Sequence, residues 1–385
     1  MNAPQAIVVG GGLAGMAAAI AVAKAGLDTL HLAPKGPPDR RTSALMLPSV
    51  EYLQSAGLVS DPATIGHPLT QIRILDATNR LIRAPETLFD SREAGLPAFA
   101  WNFPNVKLLQ SFEAARAGLA NLTTLELPVT AIDRVAEGWR VTLSDGTSVT
   151  APLLVGSDGK KSLVRVSAGF RTRENGFTEA ALVCDLELGR PVGGASVEFH
   201  YPHGPFTLVP AGDHKANLVW IDDREVLKAA QARGPEGLRE IFLEKSQNLF
   251  GDIRLLTPAH MFLLSTLSVD EAGHDGVMLA GEAAHAFPPI GAQGLNLGLR
   301  DVADLSAALA DADTGAPDWA IKASEDYSRR RAADLGRTGA MVDTLFRSLL
   351  SDMLPAQAVR AGGLWALKLS PRLRSQAFSV GMGVR

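Results

Sequence analysis

The first fifteen residues constrain this fold more than any other stretch. Gln5 to Gly10 (QAIVVG) is an apolar run of the kind buried on both faces of a parallel sheet. It passes at once into Gly10-Gly11-Gly12-Leu13-Ala14-Gly15 and an Ala-rich helical stretch to Lys24. Glycines at 10, 12 and 15 have the spacing that permits a tight turn, close approach to a pyrophosphate, and close helix–strand packing. Leu27 to Leu32 supplies the next strand, so a dinucleotide site is the expectation for this end of the chain. The second strand of an NAD-type site usually ends in an acidic residue that holds ribose hydroxyls. This chain has Ala33-Pro34 there.

At 385 residues the chain is too long for one ordinary core, and two domains are expected. A formal charge of −4 and the lack of a basic run argue against nucleic acid as a partner. Cys184 is the only cysteine, which excludes an intramolecular disulfide and a cysteine metal cluster and suits a reducing compartment. No metal site is expected: His200, His203 and His214 lack acidic or Cys partners at ligand spacing. The N-terminus enters a strand directly, so no signal peptide is expected, and the apolar run Leu13 to Ala25 is too short to span a bilayer. A soluble or peripherally bound protein follows.

Gly276 to Asp301 (GVMLAGEAAHAFPPIGAQGLNLGLRD) carries the second constraint. A strand at Val277 to Ala280 turns at Gly281-Glu282, crosses a loop with Pro288, Pro289, Gly291 and Gly294, and enters a helix near Leu295. Glycine-rich backbone at a helix start leaves amide groups with partial positive charge, which suits an anion or a polarised carbonyl. In mid-chain, Leu153 to Arg165 runs a strand into Gly156-Ser157-Asp158-Gly159; Asp158 there either accepts from ligand hydroxyls or fixes the turn. Gln71 to Leu75 and Leu81 to Ala84 read as paired short strands. From Ala180 to Asp222 the pattern alternates, as in an antiparallel sheet, and Arg224 to Phe250 reads as one long helical region. A helix is expected from Trp319 to about Gly336, with the basic cluster Arg329-Arg330-Arg331.

Three signals in this order, the Gly10/Gly12/Gly15 loop, the Asp158-Gly159 turn and Gly281-Glu282 before the Pro/Gly loop, resemble the group A flavin-dependent aromatic hydroxylases. Within that group AHAFPPIGAQGLNLGLRDV, Arg41-Thr42-Ser43-Ala44-Leu45 and the tail from Val359 to Gly383 resemble the ubiquinone-biosynthesis hydroxylases. The resemblance implies an α/β fold: a Rossmann-like FAD-binding domain (1–70, 100–175 and 265–345) interleaved with an α+β substrate domain on an antiparallel sheet (71–99 and 176–264), then a C-terminal helical segment, 346–385. It places Gly10, Gly12, Leu13, Ala14 and Gly15 at the FAD pyrophosphate, and Asp158 and Gly159 beside FAD and the passing nicotinamide cofactor. Arg41, Asn102, Gly281, Glu282, Pro289, Gly291, Gly294, Leu295 and Asn296 fall on the flavin side. Glu282 replaces the family's usual Asp, and Gly291-Ala292 reverses its usual Ala-Gly order. With Ala33, these departures lead us to expect weak FAD retention, which a stoichiometric flavin spectrum after purification would contradict.

The implied chemistry is hydroxylation of a polyprenylated phenol in ubiquinone biosynthesis through a flavin C4a-hydroperoxide, with O2 as co-substrate and NAD(P)H or another electron donor as reductant. The helix entered at Gly294–Leu295 would stabilise negative charge on reduced flavin, and the two prolines would exclude water. No catalytic base is nominated, and His285 is read as bracing its loop. The implied setting is cytoplasmic and peripheral at the inner face of the membrane, within a multi-enzyme biosynthetic complex. The basic, Trp365- and Leu-containing tail either lies at a lipid interface or packs on the FAD domain. Two other readings stay open: a prenyl-lipid reductase on the same scaffold, and a non-catalytic lipid-binding or assembly component.

Overall fold

A computed structural model describes residues 3–78, 84–289 and 292–350, with only the backbone for 338–350, and near the C-terminus residues 363, 365–367, 369–370 and 373–374. Strand Ala6–Val9 pairs in parallel with Thr29–Leu32 on one side and Leu153–Gly156 on the other. Leu122–Leu125 and Val277–Leu279 extend the parallel sheet outward, and Gly273–His274 closes one edge antiparallel. Strand alternation splits the sheet into two packed faces. Ala6 and Val8 meet a helical layer of Leu13–Lys24, Asn105–Arg116, Gln293–Ala310 and Trp319–Leu350, whereas Ile7 and Val9 meet a three-stranded meander through Ile132, Trp139 and Val141. The first helix is apolar nearly all round, with Ala17, Ala18 and Ala19 fully buried, because small side chains let neighbours approach on every side. Chain order reverses at Ala6–Val9, so the carboxyl ends of this strand and Leu153–Gly156 border the crevice where open α/β sheets bind ligands.

A second, larger sheet runs in the order His285–Ala286, His260–Val269, Thr172–Leu188, Lys215–Asp223, Gly204–Pro210, Ala195–Tyr201, Gln71–Asp76, Thr87–Asp90. Leu182, Cys184 and Leu186 point to the face covered by helices Arg224–Ala232 and Gly234–Lys245. Ala181, Val183, Val219 and Ile221 occupy the opposite face. That face turns toward the nucleotide-binding layers, because Asn217 on it bonds to Thr42 and Asn102 of a small third sheet, Thr42–Met46, His67–Leu69 and Ala100–Pro104.

Several expectations need correction. The partner of Gln71–Asp76 is Thr87–Asp90, and 81–83 of the expected Leu81 to Ala84 strand lie outside the described residues. The expected helix from Arg224 to Phe250 is two helices, broken where Gly234 adopts φ +71. The Trp319 helix continues to Leu350. The 175/176 boundary drawn from the resemblance falls inside the continuous strand Thr172–Leu188.

Candidate active site

Three chain crossings meet at the carboxyl edge of the parallel sheet, and glycines set how closely. Gly10 has φ +135, and a Cβ there would sit 2.1 Å from the Ser157 carbonyl oxygen. A Cβ on Gly15 would sit 2.1 Å from the Gly10 oxygen. These two glycines therefore serve the contact of strand, turn and helix with one another. At Gly12, as at Gly159 and Gly294, a Cβ would meet nothing within 4 Å, so these positions are open. Gly12 also caps the Leu13–Lys24 helix without any side-chain hydrogen bond. Gly298, inside helix Gln293–Ala310, lets Gly281 and Ala14 approach: a Cβ on it would be 3.4 Å from Gly281 Cα and 3.6 Å from Ala14 Cβ. The Gln293–Ala310 helix, two residues earlier than the expected start near Leu295, also begins without a side-chain cap. Two helix N-termini without side-chain caps thus approach each other, the first carrying Leu13 and Ala14, the second Gly294 and Leu295. That is a cradle suited to the anionic parts of a dinucleotide.

The mid-chain turn is built from within. Asp158 accepts from the Ser162 hydroxyl and from the Leu163 and Val164 amides at 2.7 and 3.2 Å, so its carboxylate is committed to holding the turn. Of the two roles left open by the sequence, fixing the turn is the one its contacts display. Gly159 follows at φ +82. Arg165, nearly buried, donates to Lys160 O (2.6 Å) and Ala283 O (2.9 Å) and so ties this turn to the Gly281–Ala283 turn. Burial pulls its guanidinium pKa down, opposed by the charges of Asp158 and Glu174.

Behind the Gly281 turn lies a buried ionic cluster that the sequence reading did not assemble. Asp301 Oδ2 accepts from the Gly281 amide at 2.8 Å and lies 2.6 Å from His285 Nε2. Arg331 Nε is 2.7 Å from Asp301 Oδ1, out of line for a hydrogen bond, so that contact is electrostatic. The same guanidinium bonds to Asp304 and Asp334 through Nη1 at 2.7 and 2.8 Å. His285, Asp301 and Arg331 are at most 1% exposed. His285 therefore braces its loop, and Tyr327 adds a bond to Leu279 O at 2.6 Å. The available signal was spacing: Trp319, Ala323, Tyr327 and Arg331 fall every fourth residue, which puts Arg331 on the core face of its helix. Burial would raise the Asp334 carboxyl, but Arg300 and Arg331 outweigh it and hold it at about 2. A depressed carboxyl stabilises the fold above its unfolded pKa and loses that contribution as pH falls through the folded value. Acid unfolding of the wild type should therefore include a loss of about 1–2 kcal/mol between roughly pH 4 and 2, after allowance for screening. Asp334→Asn should remove that component from the pH-dependence of urea unfolding.

The remaining flavin-side residues divide. Arg41 and Glu282 are both exposed and share one face: the Arg41 guanidinium is raised first by its hydrogen bonds to Asp39, with the charge of Glu282 adding. Arg41 grips Asp39 through Nε and Nη2, both 2.8 Å, and Asn105 Nδ2 also donates to Asp39 at 2.8 Å. Asn102 lies at the seam between two sheets. It is buried, and its amide nitrogen is spent on Pro210 O and Asn217 Oδ1, both at 2.8 Å, across the seam between sheets. Asn296 is fully buried and behaves like a strand partner, accepting from Met46 N at 2.8 Å and donating to Ala44 O at 2.9 Å. Its side chain braces strand Thr42–Met46. Pro289 is exposed, and Gly291 lies outside the described residues. Ala292 has φ +54, a left-handed conformation that disfavours a Cβ, at the position where the resembled family has glycine. Ala292→Gly is expected to raise stability by about 1 kcal/mol and to tighten FAD binding, read by thermal unfolding and flavin fluorescence quenching.

Comparison with known proteins agrees with this geometry. Residues 4–338 match the family described as FAD binding domain. Ubiquinone hydroxylase UbiL of Rhodospirillum rubrum is 31% identical over 376 residues, covering 94% of this chain and 85% of the relative. The 3-demethoxyubiquinol 3-hydroxylase of Escherichia coli is 26% identical across the full length of both chains, 100% of each. Among solved structures, p-nitrophenol 4-monooxygenase PnpA from Pseudomonas putida superposes with a TM-score of 0.80 at 18% identity, covering 100% of this chain and 99% of that one, which speaks for the fold alone. The chain belongs to the FAD-binding-domain family of flavin-dependent hydroxylases, in its ubiquinone-biosynthesis branch.

Proposed function

We propose that this protein is an FAD-dependent monooxygenase that hydroxylates the aromatic ring of a prenylated phenol or quinol in ubiquinone biosynthesis, using O2 and NAD(P)H or another donor. The observation that carries this reading is the convergence of the two uncapped helix N-termini around Ala14, Gly281 and Gly298, next to an apolar sheet face. Bound FAD supplies the redox and oxygen chemistry. Gly12 and the amides of the first helix would hold its pyrophosphate, and the Gly294–Leu295 amides would offer positive potential to its ring system. His285–Ala286 pairs with Leu267–Ser268 of the large sheet, so the Pro288–Pro289 loop is stitched to the substrate side and walls off water there. Val183 and Val219, half-buried over the buried Ala181 and Ile221, are the apolar side chains this face offers to a lipid-like ring substrate.

The test is purified protein with FAD, reductant, isotope-labelled O2 and a demethoxyubiquinol analogue. One labelled oxygen atom in the product supports the proposal. Reductant consumption without hydroxylated product favours the reductase reading, and no flavin binding favours a non-catalytic one.

Among the described residues no helix is long and apolar enough to cross a membrane. Peripheral contact is supported by the C-terminal segment, where Trp365, Leu369 and Leu373 are 48%, 75% and 44% exposed, four residues apart. Leu367 packs on the cluster containing Leu69, Phe89 and Phe99, and Arg374 pairs with Glu93 at 2.7 Å. One face of the tail docks on the body, and the exposed apolar side chains on another support contact with a bilayer. Replacing Trp365, Leu369 and Leu373 together by Ser should cut co-sedimentation with anionic vesicles; unchanged sedimentation would count against the contact. The same surface would serve a membrane-bound biosynthetic complex.

A further inference from the structure

His31 lies in strand Thr29–Leu32, is fully buried, and has no role in the chemistry above. Its Nε2 is 2.8 Å from the carbonyl oxygen of Gly10, the first glycine of the cofactor loop. That carbonyl also lies against the first helix, since a Cβ on Gly15 would be 2.1 Å from it. In a planar trans peptide the carbonyl and the following N–H point in opposite directions. Holding Gly10 C=O inward against His31 and the helix therefore aims the Gly11 N–H outward, toward the crevice beside the open position at Gly12. We infer that His31 is a positioning residue for the cofactor: its Nε2–H fixes the Gly10–Gly11 peptide so that the Gly11 amide is ready to meet the FAD pyrophosphate.

Two further observations agree. A carbonyl accepts only, so Nε2 must carry the proton and the neutral ring has a bare Nδ1. Burial lowers the His31 pKa, the Gly10 bond opposes this, and the charge of Arg116 lowers it further, all told in favour of the neutral ring. Nδ1 is buried without a hydrogen-bond partner. An unpartnered buried polar atom costs free energy, and an apolar side chain would avoid that cost. The fold bears it while keeping the other ring nitrogen on the loop. The second observation concerns the same strand two residues on. Ala33 stands where a ribose-binding acid would be, with its Cβ 3.3 Å from where a Cβ on Gly11 would lie. This strand offers the dinucleotide no carboxylate at its end; its contribution runs through the Gly10 carbonyl instead.

The inference rests on the FAD site described above, and one set of titrations separates the two. FAD is titrated into wild type, His31→Gln, His31→Asn and His31→Leu, followed by flavin fluorescence quenching, with thermal unfolding of each apoprotein alongside. Gln places an amide nitrogen near the position of Nε2 and Asn near that of Nδ1, so only Gln restores the donor to Gly10 O. His31→Gln is expected to bind within about threefold of wild type, while His31→Asn and His31→Leu bind roughly tenfold or more weakly, about one factor-of-ten step. Equal affinity of Leu and wild type overturns the inference while leaving the FAD site standing. So does equal weakening in Gln and Asn, including in the case where His31→Leu does not fold. Failure of the wild type to bind FAD would overturn the site itself, and this inference with it.

Discussion

Asp301→Asn should destabilise the protein by about 3–5 kcal/mol and weaken FAD binding in the fraction that remains folded. The size follows from what one carboxylate holds. Asp301 receives the Gly281 amide and lies 2.6 Å from His285 on one oxygen, and it faces Arg331 Nε at 2.7 Å on the other. Asparagine can still accept from Gly281, but its NH2 must then face a donor or a cation. Arg331, fully buried, then keeps Asp304 and Asp334 as countercharges. Removing one partner of a buried ionic group costs more than the pair contributes, because the surviving charge is left without solvent. The double variant Asp301→Asn/Arg331→Met should therefore be less destabilised than the two single losses summed. Urea unfolding of the four proteins gives the coupling; additive losses would mean that the contact carries no shared energy.

Gly15→Ala and Gly12→Ala should separate protein packing from cofactor approach. The added methyl at Gly15 would overlap the Gly10 oxygen at 2.1 Å, and its neighbours there are Gly10 backbone atoms, which cannot swing aside. Apoprotein stability and FAD affinity should both fall, with binding lost at working concentrations. At Gly12 the methyl meets nothing within 4 Å, so apoprotein melting should match wild type. FAD affinity should still fall by roughly tenfold or more, about 1.4 kcal/mol, because the methyl occupies space needed by the pyrophosphate. Wild-type affinity in Gly12→Ala would show that the cofactor does not approach there.

The sequence by itself determined the layers. Apolar runs at Ala6–Val9, Leu153–Gly156 and Val277–Leu279 are buried on both faces, as parallel strands must be, and alternation from Ala180 onward marks a sheet with two different faces. It also determined the glycine loop and the family, since both are written in short contiguous runs. It misplaced details that depend on local backbone, such as the break at Gly234 and the start of the helix at Gln293. Only tertiary structure decided what the polar side chains do. Asn296 looked cofactor-facing but reaches a strand 250 residues away in the chain. Asp158 had two roles open to it and its contacts hold its own turn, and Asn102 crosses to another sheet. Asp301 gave no separate signal and Arg331 only its spacing from Trp319, Ala323 and Tyr327, while His31 sat in an apolar strand. The physical reason is that periodicity reports which side of an element is buried. A buried polar group must find its partner wherever the fold brings one, and no local pattern records that distance.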